Sequence, residues 1–179
     1  MEIFIALFRG INVGGNNILP MKELVAVLES LGLQDIKTYI QSGNVIFRSK
    51  VVDTAPLARK IGAAIKKSHG FEPQVLLLDS AVLDKVIRGN PYPEAEAVPN
   101  TLHVNFLAAI PPKPDLKALE KIRAASERFH LSGDVLYLHA PDGIGRSKLA
   151  VGMERLLGVP MTSRNWNTVR KLKAMIGGD

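Results

Sequence analysis

Three short stretches carry the residue types that could do chemistry. The first is RGINVGGNN, in which Arg9, Gly10, Asn12, Gly14, Gly15 and Asn17 follow an apolar run and precede an amphipathic one. Glycine-rich turns between a strand and a helix can aim backbone amides at an anion. The glycine spacing, however, is neither GxGxxG nor GxxxxGK[ST], so the dinucleotide and nucleoside-triphosphate fingerprints are both missing. The plain alternative is a wide turn whose glycines permit positive φ and whose asparagines satisfy nearby backbone. The second stretch is DGIGRSK, where Gly143 and Gly145 lead into Arg146, Ser147 and Lys148. Ser147 suits a helix cap, and arginine is a good bidentate phosphate partner. The third is TSRNWNTVRK: Arg164, Asn165, Trp166 and Asn167 stand before a basic helix, and Trp166 is the only tryptophan. A base could stack on that ring, or the ring could simply plug core.

Other chemistries find little support. The chain has no cysteine, which excludes disulfides and thiolate catalysis. His103, His130 and His139 with Asp142 and Ser147 lack a nucleophile elbow, so no triad is assigned, and no metal-ligand spacing is present. No metal or cofactor is expected; whether the protein is an enzyme, and with which catalytic residues, is left open at this level.

Charge sharpens the picture. The formal net charge is +6, and between Arg146 and Lys173 seven basic residues face one acid, Glu154. The remaining residues hold 16 of each sign (23 less 7, and 17 less 1). A basic last quarter points to an anionic partner, either a small molecule or nucleic acid; a merely solvated surface is the plain alternative. No apolar run approaches the ~20 residues of a membrane span, and MEIFIALFRG lacks the order of a signal peptide. No membrane partner is expected, and a cytoplasmic location is.

The elements that must position these stretches follow from periodicity. Glu2 to Phe8 carries Phe4, Ala6 and Phe8 on one face and Ile3, Ile5 and Leu7 on the other, and reads as a strand buried on both sides. PMKELVAVLESLG is an amphipathic helix, IKTYIQSGNVIFR two strands around Ser42-Gly43-Asn44, and Thr54 to Gly70 a second helix. QVLLLD is a strand, and Asp79 or Ser80 caps a further helix. GNPYPEAEAVPN breaks every period and reads as a connector. The order then repeats: a strand at LHVNFLAAI, a helix at DLKALEKIRAA, a hairpin in ERFHLSGDVLYLH, a helix from Ser147 to Leu157, a strand at VPMTS and a last helix after Asn167. SGNVIF and SGDVLY stand at the same place in each half, which suggests duplication.

The expected fold is therefore α+β: two ferredoxin-like βαββαβ units, each with an added helix, over residues 1–90 and 101–179, joined by 91–100. The doubly apolar strands require cover on the second sheet face, from the other unit's sheet or from a second subunit. Oligomeric state is not readable. On this topology RGINVGG and SGN are expected at opposite ends of the first unit, and GIGRSK and TSRNWN at opposite ends of the second.

ALFRGINVGGNNILPMKEL, YIQSGNVIF, NPYP, GIGRSKL and TSRNWNTVRKL, in that order, resemble the bacterial family catalogued as domain of unknown function 1697. The resemblance runs from Met1 to about Ile176. It implies a small protein of two similar α+β units, and no reaction, cofactor or catalytic residue. The candidate ligand-binding stretches, with Ser42 and Asn44 among them, coincide with the motifs that carry it.

Overall fold

The computed structural model describes residues 1–178. Among them are eight strands in two four-stranded antiparallel sheets and six α-helices, in two compact units: residues 1–85 with 172–178, and Val86–Lys171.

In the first unit, β1 (Glu2–Arg9) pairs antiparallel with β3 (Asn44–Ser49) on one side and β4 (Gln74–Asp79) on the other. The edge strand β2 (Gln34–Tyr39) completes the order β2-β3-β1-β4. Helices α1 (Met21–Ser30) and α2 (Thr54–His69) place Leu24, Leu28, Leu57, Ile61 and Ile65 on the face carrying Phe4, Ala6, Phe8 and Phe47. Each such fully buried leucine or phenylalanine side chain contributes about 1.5–3 kcal/mol. Gly70 ends α2 in the left-handed region, and its N–H donates to the Lys66 carbonyl. Asp79 Oδ1 accepts from Val82 N at 2.7 Å and opens α3 (Ser80–Arg88), as the sequence predicts.

The alternate set on β1, Ile5 and Leu7, is also buried. Part of the cover for that second face comes from the last turns of α6 (Trp166–Gly177), whose Met175 and Ile176 stand beside Ile3 and Ile46.

In the second unit the order is β6-β7-β5-β8, the first sheet's order with every index raised by four. Its strands are β5 (Leu102–Leu107), β6 (Arg128–Ser132), β7 (Val135–His139) and β8 (Met161–Asn165). Helices α4 (Leu116–Ile122) and α5 (Lys148–Leu157) pack Leu119, Leu149, Met153 and Leu157 on Leu107, Leu136 and Leu138. The stretch read as a connector is folded into two 3-10 turns, Pro93–Ala97 and Pro99–Thr101, that bury Tyr92, Ala95 and Thr101. Turns of three to five residues are too short to show a period, which is why the sequence gives no sign of them. The last helix, α6 (Trp166–Gly177), starts at Trp166, two residues earlier than expected.

Candidate functional site

The strand register overturns the expected placement of the motifs. Leu7 pairs with Asn44, so the loop that leaves β1 and the hairpin turn that enters β3 lie at the same end of the first sheet. The reason is that β3 runs antiparallel beside β1, so its start neighbours the end of β1. In the second sheet Leu102 pairs with His139, and His103 with Asn165. The turns before α5 and α6 therefore both flank the start of β5. In each unit the two motifs converge on one end.

In the first unit the convergence is a tight clamp. Asn12, at φ +53, donates from Nδ2 to the carbonyls of Leu19 (2.9 Å) and Gln41 (2.8 Å), while its Oδ1 accepts from Leu19 N at 2.7 Å. One side chain thus ties the loop to its own exit and to the hairpin. Asn17 Nδ2 donates to the Gly10 carbonyl, and Asn12 N to the Asn17 carbonyl. Val13 and Asn16 form a small bridge around Gly14 and Gly15. Buried Asn44 donates to the Tyr39 carbonyl and to Ser42 Oγ, and Phe8 N donates to the Gly43 carbonyl. Arg9 lies along its neighbour strand, 3.3 Å from Gln74 Oε1. The asparagines here serve the loop's own backbone, which makes the segment a fixed scaffold.

The second unit is more open. Ser147 is buried and its Oγ accepts from Ala150 N at 3.0 Å, capping the ten-residue α5. On either side of it Arg146 and Lys148 are exposed, and neither makes a hydrogen bond or ion pair among the described residues. Gly143 (φ +91) and Gly145 have no heavy atom within 4 Å of where a Cβ would stand, so the backbone there is open to solvent.

The residues before α6 behave differently. Asn165 Oδ1 accepts from Thr168 N at 3.0 Å and caps that helix, and Asn167 is exposed. Arg164 pairs with Val104, which puts it on the sheet face opposite α4 and α5. It donates to the Ser163 carbonyl, and burial pushes its guanidinium down to about 10. Trp166 is 1% exposed, so its ring is core and offers no face to a base. Its indole N–H and the Nε2 of buried His103 have no hydrogen-bond partner among the described residues.

One cluster had no counterpart in the sequence reading. The Arg128 guanidinium lies 4.3 Å from the centre of the Tyr92 ring, bonds the Glu94 carboxylate and donates to His139 Nδ1 at 2.9 Å. That bond with Arg128 holds the Glu94 carboxyl below the usual range. His139 is lowered by burial and then by Arg128. The only signal was NPYP itself, set in a stretch that looks like a linker. The cluster satisfies its own charges and pins the 3-10 segment to the edge of β6. Among the described residues no group of three or more His, Asp or Glu could hold a metal, and no helix is long and apolar enough to cross a membrane.

The family model described as "Protein of unknown function (DUF1697)" matches residues 1–137, more than half of the chain, and the chain belongs to that family. The match ends before GIGRSKL and TSRNWN. The conserved bacterial protein SP0830 from Streptococcus pneumoniae is a solved structure similar to this chain, with 25% identity and a TM-score of 0.67. The likeness covers 97% of this chain and 98% of that one. A comparison with curated proteins returns no match.

Proposed function

We propose that this member of the DUF1697 family binds a small anionic, phosphate-bearing ligand at the turn that opens α5 in its second unit. The observation that carries the reading is the pair Arg146 and Lys148, exposed and unpaired among the described residues on either side of a capped helix start. The N-terminal amides of a helix and its dipole favour an anion by about 0.3–1 kcal/mol at an exposed site. Two nearby cations add charge-assisted bonds of ~1.5–3 kcal/mol each before desolvation is counted. Gly143 and Gly145 keep side chains out of the approach. In the first unit, the loop from Arg9 to Asn17 is the rigid counterpart, and its role in this reading is structural.

Each unit is read as a ferredoxin-like βαββαβ copy produced by duplication. The support is the shared strand order and the matching hairpins at Ser42-Gly43-Asn44 and Ser132-Gly133-Asp134. A nucleic-acid reading has less behind it, because Lys173 on α6 is bonded to Asp84 at 2.5 Å and Trp166 is buried.

The test is a thermal-shift panel on wild type and Arg146→Ala, with phosphate, pyrophosphate, mononucleotides, sugar phosphates and short RNA and DNA at two salt concentrations. A ligand at 100 times its Kd stabilises by about 2.7 kcal/mol. The expected result is stabilisation by one small phosphate compound that disappears in the variant. An equal shift in Arg146→Ala, or none from any small anion, would refute the site. Stabilisation by polymers alone, fading steeply with salt, would favour nucleic acid.

A further inference from the structure

The first unit has a recess beside the β2–β3 strand pair. The register of β2 against β3 slips between Gln34 and Lys37, and Asp35 within the slip has φ +51, a conformation non-glycine residues rarely adopt. Bulges of this kind occur where a strand must re-aim its side chains. Here the slip brings Asp35 to 3.1 Å from Arg48 Nε and places Lys37 opposite Ile46.

Between this strand pair and the last turns of α6 lies a cleft of about 430 Å³. Buried Ile46 and Met175, with half-buried Ile3 and Ile176, form its apolar lining. Asp35, Lys37 and Arg48 stand around it. Arg48 is engaged by Asp35, whereas Lys37 makes no ion pair among the described residues, so among these Lys37 is the cation open to a ligand.

We propose that this cleft binds an amphipathic organic carboxylate with an apolar body about the size of a medium-length alkyl chain. Clefts of ~300–1,000 Å³ with apolar walls and a few polar groups suit small molecules. The isoleucines and Met175 would take the apolar body, Met175 adapting its shape to it. The carboxylate would meet the ammonium of Lys37, which lines the cleft and pairs with Ile46 across the strands. The site is independent of Arg146 and Lys148.

Isothermal titration of the full chain with octanoate, kept below its micelle-forming range, tests the proposal against acetate and 1-octanol as controls. The expected result is one saturable octanoate site, no measurable acetate binding, and at least tenfold weaker octanoate binding in Lys37→Glu. Ile176→Trp, which fills the cleft, should abolish the binding, and Arg146→Ala should leave it unchanged. The absence of saturable octanoate binding would overturn the proposal. So would wild-type affinity in both cleft variants, or acetate binding as tightly as octanoate.

Discussion

Gly43 and Gly133 hold the same place in two matching hairpins, yet their surroundings differ. Both have positive φ, +82 and +62. A Cβ on Gly43 would stand 2.6 Å from Ile11 Cδ1 and 2.7 Å from Phe8 Cβ, whereas one on Gly133 would meet nothing within 4 Å. Gly133→Ala should therefore cost only the ~1–2 kcal/mol of the left-handed conformation. Gly43→Ala should cost roughly 2–5 kcal/mol once overpacking of about 1–3 kcal/mol is added. Urea unfolding of the two variants checks the difference, and equal losses would contradict it. The sequence makes the two glycines look interchangeable, because the contacts that separate them come from Phe8 at the end of β1 and from Ile11, in a loop whose path no local pattern reveals. His103 supports a second prediction. Burial lowers its pKa from 6.5, only partly offset by a hydrogen bond to the Asn100 backbone. The unfolded chain then binds the proton more readily than the folded one. Stability should fall as pH drops below about 6.5 and stop falling below the folded-state pKa; His139, lowered for a similar reason, adds to the same trend. His103→Asn should flatten part of that slope in urea titrations run at pH 5 to 8, and an unchanged slope would count against the assignment.

At the scale of elements, the strands and helices are legible because their burial is periodic. The two-faced β1, the stripes of α1, α2 and α5, and the Asp79 and Ser147 caps all stand where period and residue type put them. What periodicity does not encode is which ends meet. The pairings of Leu7 with Asn44 and of His139 with Leu102 follow from antiparallel neighbours, and topology reasoning from element order alone placed the motifs apart. The three-way bonding of Asn12 is equally hidden, since Asn12, Asn16 and Asn17 are alike in residue type and share one loop. Asn12→Ala removes those bonds and places alanine at φ +53. A loss of about 2–4 kcal/mol is expected from the orphaned backbone groups and the strained conformation. Amide exchange should speed up at Leu19, where a backbone N–H loses its acceptor. Wild-type exchange there would show that the clamp holds without the side chain.

For the whole molecule, the concentration of charge between Arg146 and Lys173 is real in sequence, but its members differ in burial and pairing. Arg164 is half-buried within the second sheet, Lys173 is paired with Asp84, and Arg146 and Lys148 are exposed at the start of α5. A linear tally of charge could show that an anionic partner was worth testing, though not which cations face solvent without a partner. With only two cations at the site, ligand affinity should depend weakly on salt, since the slope follows the number of phosphates neutralised. The most direct test is backbone-amide chemical-shift mapping of the isotopically labelled chain during titration with pyrophosphate. The account predicts saturable shifts centred on Gly143, Gly145, Arg146, Ser147 and Lys148, with Gly10 to Asn17 unmoved. Shifts centred instead on the Gly10–Asn17 loop or on α6, or none at all, would contradict it.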